Sequence, residues 1–285
     1  MGRMVLTRDE RAPPRASLRF TSRGLRLPLP RGCRLETLRF PGRWMSDAAL
    51  ERLRRTLCDI ASYRLDPLPS YGIFLPDREP FRNRIVTIAY EDERPVGFSA
   101  MVWLPLRVDD TPQDVLHLGL VVTTPNRLSP NLLWQMYYFP VFYVGAHRFL
   151  RPFWISCVSL EPSVIGAVSD GFHAVLPHYR HDAPSDGVRT SIARRLVSRH
   201  GHEFGAGEHA VFDEQTFVVQ GSCRGPSEAL RTSFRRAAKY SQRDCNAYCR
   251  DLLDYDRGDE LLQLGRANAA SGVRLGLSRR FFNGG

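Results

Sequence analysis

Residues 115–133 read VLHLGLVVTTPNRLSPNLL and divide into an apolar run, a polar turn and the start of a second apolar segment. Residues 115–122 are rich in β-branched side chains and have the length of a central strand, interrupted only by His117 and Gly119. Residues 123–131 contain two prolines together with Asn and Ser, so they predict a loop. Because Leu132 begins an apolar and aromatic segment, the loop joins a strand to a helix. Such junctions bind anions, since free backbone N–H groups and the helix dipole point outward there.

The segments on either side complete an α/β pattern. Residues 84–90 and 96–103 predict two strands joined by the charged turn at 91–95, which gives the sequence "apolar strand, charged turn, PVGF". Residues 154–160 predict a further strand, Pro162 starts a short helix, and Gly171-Phe172 leads into another strand.

This order of elements resembles the GCN5-related N-acetyltransferase (GNAT) superfamily over about residues 82–180. The pattern V-V-x-x-P-x-x-R between the strand and the helix, formed here by Val121, Val122, Pro125 and Arg127, is similar to the acyl-CoA-binding segment of that family. The resemblance implies a GNAT-like α/β fold with a mixed, mostly antiparallel sheet flanked by helices. It also implies acyl transfer from acyl-CoA or an acyl carrier protein to an amine.

The resemblance also implies a binding site for the acyl donor. The backbone amides of Val121 and Val122, with Thr123 beside them, would hold the pantetheine arm. The candidates for the phosphates are Arg127, Ser129 and Asn131.

Three residues are candidates for catalysis. His117 interrupts an apolar strand and titrates in the useful pH range, although a histidine in a strand is also typical of a hydrogen-bonded core residue. Ser159 and Glu161 lie at the carboxyl end of the strand at 154–160, and the resemblance implies that they face the same cleft. Glu161 is either a general base or a carboxylate that stabilises the start of a helix.

The sequence departs from the family pattern at two places. Where the family usually has glycines after the arginine, this chain has Leu128, Ser129 and Pro130, and proline has no N–H to donate to a phosphate. The family's usual general-acid tyrosine is replaced by Ala167. These departures favour a second hypothesis, a non-catalytic GNAT-shaped protein that binds a ligand or associates with a membrane.

Composition restricts the class of protein. The 285 residues are 43% hydrophobic, which indicates a folded chain with a large core. The net charge is +10, but Lys239 is the single lysine and the arginines are dispersed, so we do not expect nucleic-acid binding. The six cysteines have no framework or zinc spacing, and no signal peptide is evident, so we expect a cytoplasmic protein without a metal.

Over the whole chain the sequence predicts an N-terminal arm (1–44), a GNAT-like core (45–180) and a C-terminal α+β extension (181–285) packed on that core. A helix begins after Ser46, and another is predicted over 227–255. In the long loop at 66–84, Tyr71 and Phe74 either line a substrate cleft or cover the edge of the sheet.

The aromatic segment 132–150 is too short for a bilayer core and predicts a buried helix, with a long-acyl-chain channel or a peripheral membrane contact as alternatives. We therefore predict an N-acyltransferase with a small-molecule amine acceptor and a long or bulky acyl group. A homodimer is compatible with the C-terminal extension.

Overall fold

The computed structural model describes residues 19–30, 32–125, 132–148, 151–181 and 186–267. The strands are β1 (Arg19–Phe20), β2 (Gly24–Pro28), β3 (Cys33–Arg39), β4 (Arg84–Glu91), β5 (Arg94–Val108), β6 (Thr111–His117), β7 (Val121–Thr123), β8 (Phe153–Ser159), β9 (His173–Leu176), β10 (Val211–Asp213), β11 (Val218–Gln220) and β12 (Glu260–Ala267). The α-helices are α1 (Asp47–Ser62), α2 (Leu132–His147), α3 (Pro162–Gly171), α4 (Gly187–His200) and α5 (Arg243–Leu252).

The described strands form one mixed sheet in the order β1-β2-β3-β4-β5-β6-β8-β12-β11-β10, with β7 beside β5 and β9 beside β12. Every pairing is antiparallel except β6 with β8, which is parallel over only three residue pairs, Val115 to His117. The predicted fold class, a mixed and mostly antiparallel sheet flanked by helices, is confirmed.

Helices cover both faces of this sheet. Because side chains alternate along a strand, the buried clusters can be assigned to faces. Helix α1 packs on Val86 and Phe98, and helix α4 packs on Val102 and Leu264, which lie on the same face. We call it the α1/α4 face. Helix α2 packs on the opposite face, against Ile85 and Leu116 of the sheet.

Helix α1 forms as its sequence predicts. The Ser46 hydroxyl accepts a hydrogen bond from the Ala49 N–H at 3.3 Å, which satisfies one of the free amides at the helix start. The apolar stripe of Leu50, Leu53, Leu57 and Ile60 is buried.

Helix α2 is the predicted buried helix. Its described side chains are buried or half-buried, so packing explains its aromatic content. Pro140 lies inside it. In the described part of the chain, no helix combines the length and apolar character that crossing a bilayer requires.

The second strand of the predicted hairpin, β5, is longer than the sequence predicted. Strand β5 continues past residue 103, where the predicted strand ends, to Val108, and a two-residue turn leads into β6. That turn is Asp109-Asp110, both with positive φ (46° and 60°). Aspartate tolerates this conformation, and two such residues match the twist of an antiparallel hairpin.

The prediction of one unbroken strand over 115–122 was also wrong, because a β-bulge divides it into β6 and β7. His117 pairs with Val102 of β5, whereas Val121 pairs with Ser99, so one extra residue lies in the 118–120 segment. A Cβ on Gly119 would lie 2.0 Å from the Ala100 carbonyl oxygen, so only glycine allows this close approach of the two backbones.

The predicted long helix over 227–255 is replaced by a short 3-10 turn (Glu228–Leu230), irregular chain and α5. Tertiary contacts take the backbone groups that a helix would need. The Ala238 N–H donates to the Glu161 carboxylate, and the Ala238 carbonyl accepts from the Ser163 N–H at 3.0 Å. The ring of Tyr240 packs against Gly166.

Replacing Gly119 tests the bulge. We expect Gly119→Ala to lower the free energy of unfolding by roughly 1–3 kcal/mol, because the added methyl must displace the Ala100 backbone. Gly187→Ala is the control, since a Cβ there has no atom within 4 Å. Urea unfolding of both variants is the measurement, and equal changes in stability would contradict the close approach.

Candidate active site

A cleft of about 650 Å³ opens where the bulge directs β7 away from β8. Its walls come from residues 118–123, the end of β8 with the start of α3, the 3-10 turn at Gly72–Phe74, and the chain after α4. Tyr71 and Phe74 both line it, so of the two predictions for the long loop, the structure supports the one in which they face a cleft.

The facing edges of β7 and β8 present backbone groups to this cleft. The Leu120 carbonyl accepts from Ala100 and the Thr124 N–H donates to Val96, both residues of β5. Because hydrogen bonding alternates along an antiparallel strand, Val122 also faces β5 and the N–H and C=O of Val121 point the other way, toward β8.

Strand β8 forms the other side of the cleft. Its last hydrogen bond to the chain that continues from β6 is donated by the Leu118 N–H to the Ser156 carbonyl at 2.7 Å. The next residue that faces this side is Val158. Among the described residues, neither Val121 nor Val158 has a strand partner on the cleft side, so two short backbone edges are available to an extended ligand.

Charged residues lie on the α1/α4 face beside the cleft. Cross-strand pairing runs from Arg84 through Val102, His117 and Ser156 to Leu264, so these residues share a face. Glu260, four positions before Leu264 on the same strand, shares it as well. Arg84, His117 and Glu260 all line the cleft.

Glu260 is a buried carboxyl group, 7% exposed, at the first position of β12. Burial raises its pKa to about 7, although hydrogen bonds from the Ser222 hydroxyl (2.6 Å) and the Cys223 thiol favour the charged form. A carboxyl group that titrates near neutral pH and lines a cleft is suited to accept and release a proton.

Arg84 and Glu203 form a buried ion pair on the same side of the cleft. The Arg84 guanidinium donates to the Glu203 carboxylate at 2.6 Å, and the Arg84 side chain is only 3% exposed. Burial lowers the pKa of Arg84, and the charge of Glu203 opposes that change. A pair buried so deeply is costly to desolvate, which marks it as a candidate functional element.

His117 lies in this row but is not poised as a strong base. Its Nδ1 is 3.1 Å from the Ser156 hydroxyl, and its ring lies 5.1 Å from the ring of Phe204. Burial, and then the charge of Arg84, lower its pKa to about 3. The ring is therefore neutral at physiological pH, and its low basicity makes it a weak proton acceptor.

Ser159 and Glu161 both line the cleft, as predicted, but each has a structural partner. The Ser159 hydroxyl accepts from the Glu161 N–H at 3.0 Å. The Glu161 carboxylate accepts from the Ala238 N–H and stands at the start of α3. Burial raises the pKa of Glu161.

The predicted donor-binding residues divide into two groups. Val121, Val122 and Thr123 all line the cleft, and the Thr123 carbonyl accepts from Arg64 Nε at 3.3 Å. The predicted phosphate-binding residues, Arg127, Ser129 and Asn131, lie outside the described residues.

Sequence reasoning missed Arg84, Glu203 and Glu260. Arg84 and Glu260 share one signal: each is a charged residue at the first position of an otherwise apolar strand, RIVTIAY and ELLQL. Glu203 carries no local signal, because only the fold brings its turn to Arg84. Within the described ranges, no group of three or more His, Cys, Asp or Glu side chains is arranged to hold a metal ion.

Comparison of the sequence matches no protein-family model and no curated protein. Among solved structures, a GNAT-family acetyltransferase from Streptococcus pneumoniae is similar with a TM-score of 0.31 at 12% identity, over 50% of this chain and 87% of that chain.

A putative GNAT-family acetyltransferase from Desulfovibrio desulfuricans is similar with a TM-score of 0.29 at 14% identity, over 89% of this chain and 99% of that one. An aminoglycoside N-acetyltransferase solved with CoA has a TM-score of 0.29 at 16% identity, over 65% and 97%. Because these TM-scores are low, we base the proposed function on the cleft itself.

Glu260→Gln tests the burial of this carboxyl group. Since the pKa rises from 4.5 to about 7 on folding, the native state binds more protons between these values, and stability falls as pH rises through them. We expect the variant to gain roughly 3 kcal/mol relative to the wild type over that interval. Denaturant unfolding across the pH range measures this difference, and parallel curves for the two proteins would refute the burial.

Proposed function

We propose that this chain is a GNAT-type N-acyltransferase that transfers an acyl group from acyl-CoA to a small-molecule amine. The observation that supports this proposal most strongly is the pair of backbone edges at Val121 and Val158. An extended pantetheine arm carries amide groups that can pair with such edges, as a strand would. The resemblance of residues 82–180 to the GNAT family agrees with pantetheine binding between these two strand edges.

The residues around the cleft fit the rest of an acyl-CoA molecule. Arg64 and Arg236 are exposed at its rim, where their charges attract the phosphates of CoA. The Val121 N–H is available to a thioester carbonyl oxygen and would stabilise the negative charge that develops on it.

Glu260 is the candidate for the proton acceptor that the reaction requires. An amine attacks a thioester only after it has lost its ammonium proton, and a carboxylate with a pKa near 7 can remove that proton at physiological pH. We infer that Glu260 is the general base. Arg84 and Glu203 are then left to orient the acceptor.

Donor chain length is a separate part of this proposal. Tyr137 of the aromatic helix α2 lines the cleft, which supports a bulky acyl group in contact with that helix. Acetyl-CoA, octanoyl-CoA and palmitoyl-CoA are therefore the donors to compare.

Glu260→Gln tests the catalytic role. We expect turnover to fall by about 10²- to 10⁴-fold, the usual effect of a general base, while the affinity for acetyl-CoA is retained. Thiol release with a mixture of amino acids, alkylamines and spermidine measures turnover, and calorimetry measures acetyl-CoA binding. Glu161→Gln should have a smaller effect on turnover, because that carboxylate is bound by the Ala238 N–H.

Glu79→Gln is the matched control, since the Glu79 side chain is 78% exposed and is paired with Arg82 away from the cleft. It should leave turnover unchanged. Binding of acyl-CoA by a wild type that shows no turnover with any amine would favour the alternative of a non-catalytic binding protein.

A further inference from the structure

Arg84 has hydrogen-bonding capacity that the protein leaves unused. Its Nη2 donates to Glu203, but its buried Nε has no hydrogen-bond partner in the described structure. Leaving a charged donor buried and unpaired costs free energy, so a ligand oxygen that accepted from this Nε would be stabilised. Arg84 lines the cleft with a side chain that is 3% exposed, so a ligand in the cleft lies next to it.

One arginine at the cleft, Arg84, is left for the acceptor, because Arg64 and Arg236 are proposed to bind the phosphates of CoA and Arg231 is paired with Glu228. Four arginines line the cleft, against three glutamates: Arg64, Arg84, Arg231 and Arg236, with Glu161, Glu203 and Glu260. Of these carboxyl groups, one is held by a backbone N–H and one by Arg84. A carboxylate on the acceptor would pair with Arg84, whereas a polycation has no group that can pair with it.

The wall beside Arg84 is aromatic. Phe204 stacks obliquely on His117, and Tyr71 contacts Phe74 edge to face with ring centroids 6.5 Å apart. Phe74, Phe204 and Leu230 contribute apolar surface to the same cleft. Such a wall favours a large apolar group on the acceptor.

From these features we propose that the acceptor is an α-amino acid with a large apolar side chain, and that Arg84 binds its carboxylate. The proposal rests on the function proposed above and specifies its substrate class. Glu203 holds the guanidinium in place and is a positioning residue.

Acyl transfer to this acceptor begins with the loss of a proton from its ammonium group. Glu260 takes one proton from the ammonium group, and the free amine forms a C–N bond to the thioester carbonyl carbon. The C–S bond breaks and its electron pair leaves on the CoA sulfur, which takes up the second proton that the nitrogen loses as it becomes an amide. The products are an N-acyl amino acid and free CoA, with one proton released overall.

A matched pair of acceptors tests the proposal. L-phenylalanine and 2-phenylethylamine differ by the carboxylate, and spermidine represents polycations. With acetyl-CoA or octanoyl-CoA as donor, we expect kcat/KM for L-phenylalanine to exceed that for 2-phenylethylamine by about 10²-fold or more, because 2-phenylethylamine has no carboxylate to accept from the Arg84 Nε. Spermidine should be the poorest acceptor.

Substitution of the ion pair provides the second part of the test. Arg84→Met combined with Glu203→Gln removes both charges together, which avoids leaving one of them buried alone. We expect this double variant to fold, to bind acetyl-CoA, and to accept both phenyl compounds equally. Arg84→Lys should retain part of the preference through its charge, since lysine lacks the planar fork.

The control is the exposed ion pair of Arg194 and Glu214, replaced in the same way by Met and Gln. It should retain the full preference for L-phenylalanine. Equal or better turnover of 2-phenylethylamine or spermidine by the wild type would overturn the acceptor proposal and leave the transferase proposal standing. Absence of acyl-CoA binding and of turnover with every acceptor would overturn both.

Discussion

Backbone groups in a protein interior must be hydrogen-bonded, and this requirement accounts for the cleft. The backbone of β6 is hydrogen-bonded because β6 pairs with β8 in parallel over three residue pairs. After these pairs the bulge at 118–120 directs the chain away from β8. Among the strands that the structure describes, β7 is paired with β5 alone. The edges at Val121 and Val158 are thus two halves of an interrupted ladder, and a ligand with amide groups of its own can complete it.

The same divergence explains where the polar residues lie. The α1/α4 face is covered by two separate apolar clusters, one beneath α1 and one beneath α4. Arg84 and His117 lie between them, next to the gap in the sheet. Burial there lowers the pKa of His117, so the ring is neutral at physiological pH. Burial also raises the pKa of Glu260 to about 7, and Arg84 is held by its ion pair with Glu203.

Local patterns in the sequence predicted the elements well and the site less well. The capped helix α1 and the hairpin β4–β5 follow from periodicity, because burial of one face determines which positions are apolar. The bulge was not predictable, since Gly119 acts through its distance to Ala100 and not through a local pattern. His117, Ser159 and Glu161 were found at the cleft because the topology places strand ends there. Glu203 was missed because its role depends on a contact 119 residues away.

We propose that the backbone amides of Val121 and Val158, which have no strand partner among the described residues on the cleft side, pair with a pantetheine arm. Amide hydrogen exchange with and without acetyl-CoA tests it directly, with adenosine 3′,5′-bisphosphate as a probe that carries phosphates but lacks the arm. We expect acetyl-CoA to slow exchange at both amides, whereas the bisphosphate should leave exchange unchanged. Unchanged exchange at Val121 and Val158 under saturating acetyl-CoA would contradict it.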